Sequence, residues 1–209
     1  MRGCLFQGSE YRPGASSSIL AQMAQPIFTF EGFKRMKSPI PAELRPDQVV
    51  AVVDTREQLP LALHPLRVEV GTLATGDYSV LGLENVVAVE RKSLSDLLGC
   101  IGGERERFEK EVQRLLAYPV RAIIIESTWG QIEAGNWKSK VTASAAIGSL
   151  LGWVAAGVPI IMAENHERAG RYVSRLLFTA ARRRWRELRT LAAAVGTAET
   201  QVGEPVGAP

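Results

Sequence analysis

The sequence predicts an α/β fold in which a central mixed β-sheet is covered by helices. Short apolar runs that suit buried strands alternate along the chain with segments of helical periodicity, the order expected of such a sheet. The chain has 209 residues, of which 46% are hydrophobic and 22% are charged. A chain of this length and composition can bury one sizeable core, so we expect one domain with extensions.

Six segments have the composition of strands. The first is the apolar run 49–53, which stops abruptly at the charged stretch 54–57. A continuous apolar run of this length is typical of a strand that is buried on both faces. The other predicted strands are 67–70, 78–81, 86–91, 122–125 and 160–163.

Four helices are expected between and after these strands. Ser93 can cap a helix through about residue 101, because its hydroxyl can accept a hydrogen bond from an amide of the first turn. Apolar residues at helical spacing from Phe108 to Leu115, opposite charged positions, predict a second helix. A helix of small residues over 142–157 and a long helix over about 167–186 complete the pattern.

The two ends of the chain lack this patterning. Residues 1–47 are rich in Gly, Ser, Pro and Met and predict a flexible N-terminal extension, and residues 188–209 predict a disordered C-terminal tail. The folded domain is therefore expected over 48–187. No run approaches the ~18 apolar residues of a membrane span, so no membrane partner is expected. Cys4 and Cys100 have neither metal-binding nor redox spacing.

Positive charge is concentrated near the end of the chain. Between Arg168 and Arg189 there are eight arginines and one acid, a charge of +7, whereas the whole chain carries +3 and the remainder therefore −4. Five of these arginines fall on one helical stripe that could contact DNA phosphates, although a solvated helix exterior would look the same. They are Arg168, Arg171, Arg175, Arg182 and Arg186. If the stripe is only a surface, the DNA should lie over Arg105, Arg107 and Lys110.

A hairpin around residues 82–85 would bring two acids together. Gly82 and Asn85 tolerate the positive φ of a tight turn, and a turn there places residues whose numbers add to about 167 opposite each other. Asp77 then faces Glu90, with the two positions about 4.5–5.5 Å apart. Two carboxylates this close repel each other at neutral pH unless a cation or a proton lies between them.

Lys92 adds a third charge to this arrangement. Because strand side chains alternate between faces, Lys92 shares a face with Glu90 while Arg91 points away. Carboxylate oxygens suit Mg²⁺ or Mn²⁺, and an ammonium group beside them could orient a water molecule or help to deprotonate it. The alternative is an ordinary ion pair between Lys92 and Glu90. The charged stretch 54–57 favours an active site, because acids at several strand ends are typical of active sites in α/β proteins.

Three motifs, in order, resemble the nuclease domain of the XPF/Mus/Hef structure-specific endonucleases. They are D-x-R-E at 54–57, G-D-Y at 76–78 and E-R-K-x-x-x-D at 90–96. Together they are far more specific than an isolated D…E-x-K pattern. That family is a branch of the PD-(D/E)XK superfamily, so the resemblance, which covers about residues 49–186, implies a restriction-endonuclease-like mixed sheet flanked by helices.

The resemblance also implies a role for each motif residue. Asp77 and Glu90 would bind the metal, Asp54 would be an additional acid at the metal or its water shell, and Lys92 would be the catalytic lysine. Four more residues would support the site, with Asp96 holding a neighbouring basic group. These supporting residues are Arg56, Glu57, Arg91 and Asp96.

The activity implied by the resemblance is that of a DNA endonuclease dependent on Mg²⁺ or Mn²⁺, which hydrolyses a phosphodiester with metal-activated water. The expected substrates are branched, flap or fork DNA in repair or recombination. An inactive DNA-binding scaffold is one alternative, and another nuclease of the superfamily, such as a junction resolvase or an exonuclease, is a second. The presence of Asp54, Asp77, Glu90 and Lys92 together favours activity.

Two further expectations concern assembly and location. Family members dimerise through the region of the last two helices, whose apolar residues exceed what one sheet face needs, so we expect a homodimer. The apolar stripe consists of Tyr172, Val173, Leu176, Leu177 and Ala180. The sequence shows no helix-hairpin-helix module of the eukaryotic members. This difference favours a cytoplasmic protein of bacterial or phage origin, with a nuclear location expected if the protein is eukaryotic.

Overall fold

The protein is described by a computed structural model, which defines the backbone of residues 40–199 and the side chains of residues 40–195. The strands are β1 Val50–Asp54, β2 Arg67–Gly71, β3 Tyr78–Val80, β4 Val87–Ser93, β5 Val120–Glu126 and β6 Ile160–Met162. The helices are α1 Leu94–Ile101, α2 Arg105–Leu115, α3 Trp129–Ala134, α4 Ala143–Ala155 and α5 His166–Glu199. A short 3-10 turn, Pro46–Gln48, precedes β1.

The six strands form one mixed sheet in the order β2-β1-β3-β4-β5-β6. β3 is antiparallel to both of its neighbours, whereas the β1–β2, β4–β5 and β5–β6 pairs are parallel. The α/β class and the mixed sheet flanked by helices are thus confirmed. Each predicted strand is present, with ends that differ by one or two residues.

The β3–β4 hairpin has the predicted register, because Tyr78 pairs with Val89. The Asp77 amide donates a hydrogen bond to the Val89 carbonyl at 2.8 Å, so Asp77 and Glu90 lie at the same end of the hairpin. Gly76 makes this approach possible. Its φ is 78°, and a Cβ atom there would lie 3.0 Å from the Val89 oxygen.

The two faces of the sheet are covered by different helices. α5 packs on the face that carries Val53, Val87 and Val89. α1, α2 and α4 pack on the opposite face, around Ala88 and Ile123. Since side chains alternate along β4, Glu90 and Lys92 belong to the face of α1 and α2, and Arg91 to the face of α5.

Polar caps define the starts of two of the predicted helices, α1 and α4, and one short helix was not predicted. The Ser93 hydroxyl accepts a hydrogen bond from the Asp96 amide, which confirms the expected cap of α1. Thr142 caps α4 in the same way. α3 lacks apolar periodicity, because Ile132 is the one buried residue of this six-residue helix, and its sequence signal is the capping box that Thr128 forms with Gln131.

The predicted C-terminal boundary is wrong, because α5 continues through Glu199. Residues 188–199 are therefore helical where the sequence predicted a disordered tail; residues 200–209 lie outside the described range. After Arg186 the sequence contains no proline before position 205, and leucine and alanine dominate up to Gly196, so helix propensity is high. Glu187 also pairs with Arg183 and Arg184 on the preceding turn.

Most of the predicted N-terminal extension lies outside the described residues, but its last part contacts α5. The Trp185 indole donates a hydrogen bond to the Pro41 carbonyl at 2.9 Å. Arg189 donates to the Ile40 and Ala42 carbonyls, at 3.3 Å each. No helix within residues 40–199 has the length and apolar composition to cross a membrane.

Much of the apolar surface behind the homodimer prediction is buried within the chain. Val173, Leu177 and Ala180 pack against the sheet, and Trp153 is enclosed by α2, where its ring meets Phe108 edge-on. Tyr172 remains exposed. Homodimer formation therefore remains a prediction, and the apolar surface available for it is smaller than the sequence suggested.

Two glycines of the hairpin should differ in their tolerance of alanine. Both have positive φ, which costs an alanine about 1–2 kcal/mol. Gly82 faces open space, whereas a side chain at Gly76 would meet the Val89 backbone. Urea unfolding should therefore show a larger loss of unfolding free energy for Gly76→Ala than for Gly82→Ala, and equal losses would contradict the close approach of Gly76 to Val89.

Candidate active site

Three strands bring the predicted catalytic residues to one edge of the sheet. β1 ends at Asp54, Asp77 directly precedes β3, and Glu90 and Lys92 lie in the second half of β4. Because β3 is antiparallel to β1 and β4, its amino end meets their carboxyl ends. The Asp54 amide donates to the Asp77 carbonyl at 2.9 Å, which joins the first two positions directly.

Asp77 and Glu90 form a largely buried acid pair. Burial raises the pKa of Asp77 to about 7, together with the nearby charge of Glu90, although the Arg91 amide donates to Asp77 Oδ2 at 2.7 Å. Burial also raises the pKa of Glu90, an effect that Lys92 opposes. At neutral pH this pair therefore favours the presence of a proton or a cation.

Lys92 is paired with Glu90 in the same pocket. Its ammonium donates to Glu90 Oε1 and lies 5.1 Å from the centre of the Phe108 ring on α2. Burial by itself would lower the pKa of Lys92, but the charge and the hydrogen bond of Glu90, together with the charge of Asp77, outweigh burial and raise it. Lys92 is therefore a charged donor as long as Glu90 is ionised.

Asp54 has a different environment from the acid pair. Its carboxylate accepts hydrogen bonds from the Arg56 amide and guanidinium and from the Leu73 amide, at 2.6–3.2 Å. Burial raises the pKa of Asp54, but these hydrogen bonds outweigh it and hold the pKa below the usual range. All four acceptor positions of the carboxylate are occupied, so direct metal binding by Asp54 would require Arg56 to move.

Behind the acid pair, on the α5 face, Arg91 is held by a cluster of buried charges. Its Nε donates to Glu126 Oε1 at 2.7 Å, and its NH1 lies 3.8 Å from Glu57 Oε1. His166 Nδ1 lies 2.7 Å from the same oxygen of Glu126. The cluster joins the end of β5, the start of α5 and the turn after β1, and it fixes the part of β4 whose amide holds Asp77.

Sequence reasoning identified Glu57 and Arg91 as supporting residues but missed Glu126 and His166. Glu126 carried a usable signal, because it ends a buried apolar strand as Asp54 does. His166 carried no such signal, because a histidine at the start of a helix with no other His or Cys near it in the sequence is usually an ordinary surface residue, and His166 is the first residue of α5. Its neighbours come from distant parts of the chain.

Asp96 and Glu111 also depart from expectation. Asp96 is exposed and accepts a hydrogen bond from the Ser93 hydroxyl at 2.8 Å, in place of the basic partner that was predicted. Glu111, on α2, was not singled out. Its Oε2 is buried and has no hydrogen-bond partner among the described residues, and its charge contributes to the raised pKa of Glu90.

The donor chemistry of this edge fits a magnesium-type ion better than zinc. Within residues 40–199, no three His, Cys, Asp or Glu side chains form a closed metal site. Two carboxylates that repel each other suit Mg²⁺ or Mn²⁺, which bind through one or two carboxylates and complete their coordination with water and substrate phosphate. Asp77 and Glu90 are the residues that could hold such an ion.

The predicted DNA-binding residues fall on opposite sides of the sheet. Arg105, Arg107 and Lys110 lie on α2, which covers the face of Glu90 and Lys92. The five arginines of α5 form the expected stripe, exposed on the outer side of α5 and therefore across the sheet from the acid pair. Arg168 and Arg171 are partly neutralised by Glu164 and Glu167.

Comparisons with known proteins place this fold among nuclease domains. A family model described as the ERCC4 domain matches residues 47–176. Two solved structures of XPF from Aeropyrum pernix, one of them in complex with DNA, each have a TM-score of 0.53, with sequence identities of 19% and 18%. Each match covers 64% of this chain and 66% or 65% of that chain, so this chain spans just under two thirds of those proteins. No curated protein matches.

The two aspartates should have opposite effects on stability in the presence of EDTA. The pKa of Asp77 rises from 3.8 to about 7 in the folded state, so its charge increasingly destabilises the fold as pH rises through that window. At pH 7.5, Asp77→Asn should therefore raise the Tm, by about 2–4 °C for each kcal/mol of repulsion removed, and by less at pH 4.

Asp54→Asn is the matched comparison. Because the folded-state pKa of Asp54 is lowered, its charge stabilises the fold above the unfolded pKa, and that contribution disappears as pH falls. The variant should lower the unfolding free energy at pH 7.5 by about 1.5–3 kcal/mol, as expected for hydrogen bonds to a charged group. Equal destabilisation by both variants would show that Asp77 and Glu90 do not repel each other.

Proposed function

The chain belongs to the ERCC4 domain family, and on that premise we propose that it is a metal-dependent endonuclease that hydrolyses phosphodiester bonds of branched DNA in repair or recombination. The observation that carries the proposal is the buried pair of Asp77 and Glu90, with Lys92 beside it, at an edge where three strands meet. We propose a cytoplasmic location if the protein is bacterial or phage-encoded, and a nuclear location if it is eukaryotic.

Asp77 and Glu90 would hold Mg²⁺ or Mn²⁺ as ligands. When bound, the ion supplies Lewis acidity toward the phosphate and toward the attacking water. The Arg91 amide orients Asp77, and the Glu57–Arg91–Glu126–His166 cluster holds that amide in place. Asp54 contributes by orienting the guanidinium of Arg56. That guanidinium is exposed, interacts electrostatically with Asp77 and Glu90, and can contact a phosphate.

Lys92 would change its role when the acids bind a cation. In the described state the negative charge of Glu90 keeps Lys92 protonated. Sharing the charge of Glu90 with a cation would weaken the main influence that raises the pKa of Lys92, while burial continues to favour the neutral amine. Lys92 is then suited to orient the attacking water and to accept a proton from it as the water oxygen bonds to phosphorus; the P–O bond to the leaving oxygen breaks, and that oxygen takes up a proton from solvent.

DNA is proposed to lie over α2. Arg105, Arg107 and Lys110 are on the helix that covers the sheet face of Glu90 and Lys92. A cleft of about 590 Å³ lies between α1 and residues 137–141, with Lys138 and Lys140 in its lining. The arginine stripe of α5 is separated from the acids by the thickness of the sheet.

The homodimer remains part of the proposal. Leu151 and Val154 are exposed on the outer side of α4, and Tyr172 is exposed on α5. Exposed aliphatic and aromatic side chains on the two helices that the resemblance associates with dimerisation support a self-complementary interface there.

The proposal is tested by cleavage of labelled flap, fork, nicked and linear DNA with and without Mg²⁺. Asp77→Asn or Glu90→Gln should abolish cleavage and leave DNA binding nearly intact, because the acids serve the ion. Lys92→Ala should remove most activity, and Lys92→Arg should not restore it, since a guanidinium does not release a proton at neutral pH. Glu84→Gln, at the exposed far end of the same hairpin, is the control that should remain active. Full cleavage by Asp77→Asn would overturn the site.

The DNA path is tested by paired charge reversals, with affinity measured over a range of salt concentrations. Arg105→Glu with Arg107→Glu should weaken binding to every DNA and reduce the salt slope by about 0.9 for each phosphate that the variant no longer binds. Arg175→Glu with Arg182→Glu changes the charge by the same amount on the opposite side and should leave the slope nearly unchanged. The reverse result would assign the DNA to the α5 stripe.

A further inference from the structure

The core-facing side of α5 continues beyond the sheet. Val173 and Leu177 are fully buried on this side of the helix. Leu188, Leu191 and Val195 follow Leu177 by 11, 14 and 18 positions, which at ~3.6 residues per turn returns each of them to the side of Leu177 within about 40°. They are 52%, 61% and 54% exposed. We call these three residues the α5 extension stripe.

An exposed continuation of a core face is not an ordinary surface feature. Single exposed apolar residues are common and need no explanation. Here three aliphatic residues lie in a row on one side of a helix, and about three turns earlier the sheet buries the same row at Leu177. A contiguous apolar strip of this kind marks a contact site.

The N-terminal part of the chain joins the fold beside this stripe. Arg189, which follows Leu188 directly, donates to the Ile40 carbonyl at 3.3 Å, and Trp185 donates to the Pro41 carbonyl. Residues 1–39, which lie outside the described range, are therefore attached within one helical turn of the stripe.

The sequence just before this attachment contains a matching apolar cluster. Residues 27–33 read Ile-Phe-Thr-Phe-Glu-Gly-Phe and contain three of the six phenylalanines of the chain. The seven-residue step from Phe33 to Ile40 can span up to about 24 Å, whereas Leu188 and Val195 are about 10 Å apart along the helix. A segment tethered this closely has an effective concentration in the mM range, which favours it over a second copy at micromolar protein.

We propose that residues 27–33 pack on the α5 extension stripe and so extend the hydrophobic core past the end of the sheet. The Phe28, Phe30 and Phe33 rings would cover Leu188, Leu191 and Val195. The N-terminal segment then serves as an intramolecular partner of α5, independently of the nuclease proposal.

Photo-crosslinking of the full-length chain tests this contact. With p-benzoylphenylalanine at position 191, irradiation at micromolar concentration should crosslink to residues 25–36 of the same chain, as identified by mass spectrometry in a mixture of isotope-labelled and unlabelled protein. The same group at position 175, on the outer side of α5, is the control and should give no crosslink to residues 25–36. Crosslinks between labelled and unlabelled chains would assign the stripe to a second copy, and crosslinks to residues 200–209 would assign it to the C-terminal end. Either result, or no crosslink to residues 25–36, overturns the proposal.

Hydrogen exchange gives a second readout that does not depend on the crosslinker. The Phe28→Ser, Phe30→Ser, Phe33→Ser triple variant should exchange the amides of residues 188–199 at least about tenfold faster than the parent chain. Ile19→Ser with Leu20→Ser removes apolar residues from the same segment outside the proposed contact and should leave exchange unchanged. Equal protection in the parent and the triple variant would contradict the inference.

Discussion

The pairing of Tyr78 with Val89 is the constraint on which the candidate site depends. It sets Asp77 and Glu90 side by side at the end of a two-stranded hairpin, and Gly76 permits it because no other residue fits so close to the Val89 backbone. A shift of one residue in this register would move Glu90 and Lys92 to the face of α5 and separate the acids. The hairpin therefore determines both the electrostatics of the site and the side from which a substrate can approach.

The cost of holding two buried acids together is offset by groups on both sides of β4. On the face of α1 and α2, Lys92 neutralises Glu90. On the α5 face, the Glu57–Arg91–Glu126–His166 cluster fixes the strand whose amide binds Asp77. These compensations differ in kind, because the first can be replaced by a cation whereas the second is built into the packing of α5 on the sheet. Removing a residue of the cluster should thus alter the geometry of Asp77, while removing Lys92 should alter the charge balance.

The sheet also separates the two basic surfaces. α2 carries its cations beside the acid pair, whereas α5 uses one side to build the core and presents its arginines to solvent on the other. The apolar side of α5 is longer than the sheet it covers. Both the proposed DNA path and the proposed contact with residues 27–33 follow from this division.

The sequence by itself determined the strands, the register of the hairpin and the meeting of Asp77, Glu90 and Lys92, because those features depend on apolar runs, turn residues and strand alternation, which are local. Asp54 was assigned to the same site through the motif resemblance. The ERCC4 domain match agrees with the motif resemblance carried by the same residues. Only the tertiary structure decided that Asp54 is held by Arg56 and that Glu126 and His166 hold Arg91. It also decided that Glu111 lies near Glu90. It showed as well that α5 continues through Glu199 and that the α5 arginines lie across the sheet from the acids. These features depend on contacts between residues that are distant in the chain, or on which face of the sheet a helix covers. The periodicity of a sequence reveals which side of a helix is apolar, but it does not reveal which face of the sheet that side covers.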